Sequence, residues 1–444
     1  MILSGLAQKA QVFDVLGYRD YRLYWFGHAF SVSGIQMVLV TEWWLIWKLT
    51  ESEFLLGSIG LVEALPAAGL TLFGGVVADK VDLRRFLIVL QILLACMLLC
   101  LATLTLIEAI QVWHLFVFTF FFGILGAFDQ PSRQAFFPHL LDRRDLMKAV
   151  SLNAMVWPGT RIFGPAVAGL IIDRVSMATG APLAGAAVAF YLSCIAFLLF
   201  GLNVSLIRMP NIKRAHGSNV VRDIGKGIKY IWSQKLFTIL IGMAFMGSFF
   251  VSSHIGLLPV FATDILKGDG ATLGALFAAG GIGSLFGAIV AATMANFRRR
   301  GLLVIGGLVL QAVFVMLFAA SNSIGLSIVF AFLAGVGFAI FSVCTQSTLQ
   351  MEVSDEFRGR VMSIWGMTYT VVMPLGRVQG GVLAGVSRGH MAGLLGRYAG
   401  APAAIIFGSL VMQVFIFFGV SPNRRVRNLG TGVTVPEDYH QGKE

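Results

Sequence analysis

Apolar residues run along this chain in long blocks separated by short charged, polar or turn-rich breaks. The blocks lie at 23–48, 54–78, 86–107, 112–136, 148–172, 183–206, 236–262, 271–295, 302–320, 324–350, 361–386 and 399–420. A helix crosses a hydrocarbon core about 30 Å thick with roughly 20 apolar residues, so the pattern predicts twelve membrane-spanning helices. The fold class expected is an all-α polytopic membrane protein.

Composition supports this class. Of 444 residues, 57% are hydrophobic and 12% charged, and the mean hydropathy is +0.82. A soluble domain is roughly 45–50% apolar and about 25% charged, so a soluble globular enzyme is excluded. A net charge of +11 would suggest a nucleic-acid partner for a soluble protein; here its placement reads as topology, and no nucleic acid is expected. With a cytoplasmic N-terminus, the outer Lys and Arg are Lys48, Arg174, Lys267, Arg388 and Arg397. Arg161 and Arg377 lie within spans, and the rest are inside. The positive-inside rule then places both termini in the cytoplasm. Residues 1–22 form a cytoplasmic segment with no apolar core and cleavage site of a signal peptide. Four cysteines make no disulfide framework, and Cys96 and Cys100, one helical turn apart in an apolar block, read as packing.

The loop 207–235 carries Arg208, Lys213, Arg214, Arg222, Lys226, Lys229 and Lys235. It divides the spans into two bundles of six, 23–206 and 236–420, with residues 421–444 as a cytoplasmic tail. Val221, Ile224, Ile228, Ile231 and Trp232 recur near helical spacing opposite the basic residues, which fits either a helix on the membrane face or a solvated linker. The two bundles resemble each other. Residues 157–169, from Trp157-Pro158 through Arg161 to Gly164-Pro165 and Gly169, align without gaps to 373–385, which contain Pro374, Gly376, Arg377 and Gly385, at an offset of 216. Gln130 and Gln134 fall on Gln346 and Gln350 at the same offset and mark a pseudo-symmetric inner gate. Two parallel six-helix repeats are the pattern of a rocker-type secondary transporter.

The turn after the second span reads Gly75-Val76-Val77-Ala78-Asp79-Lys80-Val81-Asp82-Leu83-Arg84-Arg85. An acid at the turn suits a helix N-terminus, and arginines form forked pairs, so the turn can lock neighbouring helix ends. At this location the sequence resembles the major facilitator superfamily, with aspartate at 82 where that pattern usually has glycine. With Asp129-Gln130-Pro131-Ser132-Arg133, the Asn153 to Pro165 stretch and Asp355-Glu356-Phe357-Arg358-Gly359-Arg360, it resembles the branch of the enterobactin exporter and the third drug:proton antiporter group. The resemblance implies a bacterial inner-membrane transporter, acting as a monomer in the lipid bilayer, that exports a small amphipathic drug-like compound or siderophore by proton antiport. Lysophospholipid or metal-ion cargo and a non-transporting scaffold or sensor are the alternatives. No nucleotide-binding Gly-rich loop, zinc helix or His-rich segment is present in the sequence, so no cofactor and no metal site are expected.

The few charges inside the spans carry the candidate mechanism. Glu42 and Glu63 lie on consecutive helices roughly 9–13 Å below the outer surface by helical rise, as a proton-coupling pair, a site for a cationic group, or side chains reaching back to the interface. Asp129 pairs either with Arg133, four residues on, or with Arg161 as a conformational switch. Gly75, Asp79, Arg84, Arg85, Arg133, Pro158, Gly164, Pro165, Gly169, Arg358, Arg360 and Arg377 form the gating set, with Pro165 expected to bend its helix. Arg377 has no acid in its own span. Gln36, Asn153, Tyr369 and Gln379 are the polar candidates for a cavity lining. Trp43, Trp44 and Trp47 fit an interfacial belt or a cation cage, and His254 is placed at the outer interface.

Overall fold

The computed structural model describes residues 11–78, 81–208, 230–232, 234–294, 299–421, 423–427 and 429. Lipid offers a backbone N–H or C=O no partner, so a chain this apolar crosses it as helices or as a closed barrel. Among the described residues the chain is helical and has no strand. The first half holds α1 (Arg19–Thr50), α2 (Glu53–Ala78), α3 (Leu83–Leu106), α4 (Val112–Phe136), α5 (Val156–Thr179) and α6 (Ala184–Leu206). The second holds α7 (Lys235–Ile265), α8 (Gly270–Thr293), α9 (Arg300–Ala320), α10 (Ile324–Glu352), α11 and α12 (Ala401–Val420), where α11 joins Asp355–Met367, Thr368–Val372 and Met373–His390. Ten of these helical runs are long and apolar enough to cross a membrane. The other two, α2 and α11, complete the expected twelve among the described residues.

Several spans depart from uninterrupted α-helix, α12 among them with a π-turn at Phe415–Val420. The fifth is two helices, Leu146–Ala154 and α5, broken at Met155, and it runs on to Thr179, where Gly180 at φ +69° ends it. Pro165, expected to bend the span, sits inside the unbroken α5. α7 passes through π-helical turns at Gly247–Val251 and Phe261–Ile265 and a 3-10 stretch at Ser252–Leu257, and α11 through a π-turn at Thr368–Val372. Hydropathy does not register such changes of winding. In the basic loop, Val221, Ile224 and Ile228 lie outside the described residues, while Ile231 is buried and Trp232 exposed.

The loops 51–52, 107–111, 180–183, 266–269, 321–323 and 391–400 gather at one end, the short-loop end; the opposite end is the basic end. The halves are joined chiefly by α5 against α8 and α2 against α11, the same pairing twice under the repeat. Glycines set these contacts, since backbones can touch only where no Cβ intervenes. A Cβ on Gly169 would lie 2.2 Å from the Gly270 carbonyl oxygen, and one on Gly57 would lie 2.7 Å from that of Arg377. At the short-loop end a latch adds to them. Trp47 Nε1 donates to Thr263 Oγ1 at 2.9 Å, and Glu53 Oε1 accepts from the Ala401 amide and from Arg388, both at 2.9 Å.

At the basic end, Tyr18 Oη donates to Asp145 Oδ2 at 2.9 Å and Lys148 Nζ lies 2.9 Å from Asp145 Oδ1. These two hydrogen bonds, that of Lys148 foremost, hold the Asp145 carboxyl below its usual range. A carboxyl pKa depressed by folding stabilises the fold above its unfolded value and ceases to as pH falls through its folded value. The thermal midpoint is therefore expected to fall below about pH 4 less steeply in Asp145→Asn than in wild type. Identical pH profiles would show that this contact anchors nothing.

Candidate functional site

A cavity lies in the second half against Arg161 of α5, with the rest of its lining from α7, α8, α9, α10 and α11. Its polar lining is Arg161, Ser252, His254, Ser284, Gln311 and Tyr369, and its apolar lining includes Phe277, Phe318, Phe338 and Met373. Among the described residues, Arg161 is the single lining residue from the first half, and no Asp or Glu lines the cavity. α7 and α11 leave regular α-winding where they deliver Ser252, His254 and Tyr369, in keeping with the concentration of π-turns at functional sites. His254 Nδ1 donates to the Val251 carbonyl at 2.7 Å, which corrects its expected place at the outer interface. Tyr369 Oη lies 2.9 Å from Ser342 Oγ. Of the four polar candidates, Tyr369 lines this cavity and the others do not. Gln36 is buried against Gly164, and Asn153 and Gln379 are half-buried elsewhere.

Glu42 and Glu63 sit beside the cavity, outside its lining. Glu42 is 6% exposed, too deep to reach an interface, and its Oε1 accepts a short hydrogen bond from Thr119 of α4. Glu63 Oε2 lies 3.2 Å from Arg377 Nη2, a pair that ties α2 of one half to α11 of the other. It supplies the acid that the span of Arg377 lacks. Glu42 interacts electrostatically with both members. The tryptophans are buried, not a lipid-facing belt: the Arg377 guanidinium lies 5.1 Å from the Trp43 ring centre and that of Arg388 lies 5.6 Å from Trp47. The cations they meet are the protein's own arginines.

Asp129 and Arg133 resolve to the local pair. Arg133 Nε lies 2.5 Å from Asp129 Oδ2, both side chains are buried, and Gln91 Nε2 donates to Asp129 Oδ1 at 2.7 Å. Arg133 also donates to His28 Nδ1 and Ser31 Oγ, each at 2.8 Å, and lies 4.3 Å from the Phe200 ring centre. The structure does not bring Asp129 to Arg161, which faces the cavity. His28, Gln91, Gln311 and Thr119 were missed in the sequence. Gln91 and Gln311 are each the one amide side chain in an apolar block, and that was an available signal.

The gating turn divides. Asp79 lies outside the described residues, and Gly75 falls within α2. Asp82 caps α3, accepting from the Arg84 and Arg85 amides at 3.1 and 3.2 Å, an N-cap that glycine could not supply through a side chain. Arg84 donates to the Val204 carbonyl at 3.3 Å and, at short range, to that of Ser205, capping the C-terminus of α6. Arg85 pairs with Asp82 in solvent at 3.5 Å. The Arg358 side chain lies outside the described residues; Arg360 lies 5.1 Å from the Phe357 ring centre, and that ring stacks on Tyr230 at 4.2 Å. Pro158 is exposed. Gly164 packs on Ser33 and Gln36 of α1, and Gly281 of α8 lies against the Arg161 carbonyl, whose helical donor Pro165 removes. Gln130, Gln134 and Gln350 are exposed and Gln346 half-buried.

The profile of the transmembrane secretion effector family matches residues 12–420. The chain is 24% identical over 383 residues to macrolide efflux protein A of Streptococcus pyogenes, covering 81% of this chain and 88% of that protein. It is 22% identical over 394 residues to the enterobactin exporter EntS of Shigella boydii, covering 88% and 89%. Among solved structures, a bacterial homologue of the human lysosomal transporter Spinster, inward-facing and unoccupied, superposes with a TM-score of 0.67 at 15% identity, covering 93% of this chain and 97% of that one. Paired six-helix halves, with a family match over nearly the whole length, make this chain a member of the transmembrane secretion effector family, a major facilitator transporter that exports small molecules.

Proposed function

We propose that the chain exports a small amphipathic organic molecule, drug-like or siderophore-like, by proton antiport with alternating access, with both termini cytoplasmic. The observation that supports this most directly is the Glu63–Arg377 pair, which crosses between the halves from α2 to α11. The pair holds α2 to α11 only while Glu63 is charged. A proton on Glu63 ends the attraction and leaves Arg377 resting on Trp43, so proton occupancy and closure of the short-loop end become linked quantities. By that linkage, a substrate that favours one arrangement of the halves changes proton affinity, as coupling requires. Glu42, next to the pair, is a second carboxyl through which the proton can pass. Small-residue contacts along α5–α8 and α2–α11 let the halves rock without unfolding either.

In proteoliposomes carrying a pH gradient, tested against siderophores, cationic drugs and lysolipids, wild type is expected to move at least one class with the gradient. Glu63→Gln and Glu42→Gln are each expected to cut gradient-driven flux by about tenfold or more, the scale of a proton-transfer defect, while substrate exchange without a gradient persists. Full gradient dependence in both variants would remove these carboxyls from the mechanism. Orientation is checked separately, by a membrane-impermeant thiol label that should fail to reach a cysteine in the 207–235 loop from outside.

A further inference from the structure

We infer that the cavity beside Arg161 receives the anionic group of an amphipathic organic acid, so that the transported class is acidic rather than cationic; this rests on the export reading above. The argument is one of charge. Arg161 puts a guanidinium into a wall whose other polar members are hydroxyls, an amide and an imidazole, and no carboxylate lines the cavity. Two other arginines, buried in the helix bundle, have counter-ions, Arg133 in Asp129 and Arg377 in Glu63. Among the described residues no acid pairs with Arg161. A guanidinium away from water needs an anion or a cluster of acceptors, and a carboxylate meets it with two parallel hydrogen bonds.

The rest of the lining suits the other end of such a molecule. Phe277, Phe318 and Phe338 offer apolar area for a hydrophobic body, as ligand cavities combine a largely apolar wall with a few placed polar groups. Gln311 and Tyr369 add polar contacts on the same wall. The carboxylates suited to receiving a cation, Glu42 and Glu63, are held by Thr119 and Arg377 outside the lining. A cationic substrate would meet Arg161 with no charge to offset it.

The test uses the full chain in nanodiscs and two probes that share an apolar fluorophore, dansylglycine with a carboxylate and dansylcadaverine with an ammonium. Wild type is expected to bind dansylglycine at least about tenfold more tightly, the equivalent of one charge-assisted contact. Arg161→Gln should abolish that preference and Arg161→Lys keep part of it. Gln311→Glu, which adds a carboxylate to the wall with Arg161 intact, should also abolish it, so a folding failure of one variant leaves the other to decide. Equal or reversed preference in wild type, no saturable binding of either probe, or a preference unchanged in Arg161→Gln and Gln311→Glu would overturn the site. Efflux from loaded proteoliposomes separates the two proposals. Binding that depends on Arg161 without flux upholds the site and removes the export reading; gradient-driven flux of dansylcadaverine alone keeps export and overturns the site.

Discussion

An Arg133→Met protein is expected to lose about 3–5 kcal/mol of stability, because the substitution leaves a carboxylate buried without its counter-ion. Asp129 and Arg133 have side-chain exposures of 7% and 3%, so water cannot take the place of the missing partner. Gln91 still donates to Asp129, but one amide does not neutralise a charge. His28 and Ser31 lose the guanidinium that both accept from. The check is thermal unfolding in detergent, with a double-mutant cycle to isolate the pair. Asp129→Asn combined with Arg133→Met should recover much of the loss, since no buried charge remains and the asparagine oxygen can still accept from Gln91. A double variant as unstable as the sum of the two single changes would mean that the ion pair contributes nothing of its own. The prediction also separates roles: within this network Arg133 supports the packing of α1, α3, α4 and α6, and the folded double variant should retain transport per molecule.

The second large effect is expected at Gly169. A valine there must place its Cβ against the Gly270 carbonyl and the Gly274 backbone, at 2.2 and 2.9 Å in the present packing. Those atoms belong to α8, in the opposite half, so the strain is relieved by separating the halves rather than by unfolding one. Overpacking of this kind costs about 1–3 kcal/mol, which moves an equilibrium by about five- to 150-fold. A cysteine at Ile172, 2% exposed and packed against Gly270, should therefore be labelled by a maleimide at least about fivefold faster in the Gly169→Val background, and transport should fall with it. Gly283→Val provides the contrast. A Cβ there would meet the Phe332 carbonyl oxygen at 1.9 Å, a contact within the second half, so it should reduce folded yield without raising the labelling rate at Ile172. Equal labelling in wild type and Gly169→Val would show that the α5–α8 contact does not hold the short-loop end closed.

Much of the local chemistry was legible in the sequence. Asp129 and Arg133 stand four residues apart, and helical geometry alone puts them on one face. Asp82 stands out in the sequence only as a departure from the family's glycine, and the structure shows it capping α3. The partner of Arg377 was not legible, because Glu63 lies 314 residues away and hydropathy gives no information about how a helix is rotated about its axis. For the same reason the tryptophans around Glu42 read as a belt, although their rings face Arg377 and Arg388 across the interface between halves. His254 reads as interfacial for the same reason, although the winding of α7 through Ser252–Leu257 turns its side chain into the cavity.

A membrane protein of twelve helices in two related sets is already written in the chain, because each span must satisfy its own backbone within lipid and therefore carries its signal locally. Which buried charges meet is set by the packing of the helices. Glu63 with Arg377, Asp129 with Arg133 rather than Arg161, and Arg161 facing a cavity without an acid all depend on helix rotation and on how closely α2–α11 and α5–α8 approach. That approach is set by glycine-to-backbone contacts between helices far apart in sequence, where no single span contains the information.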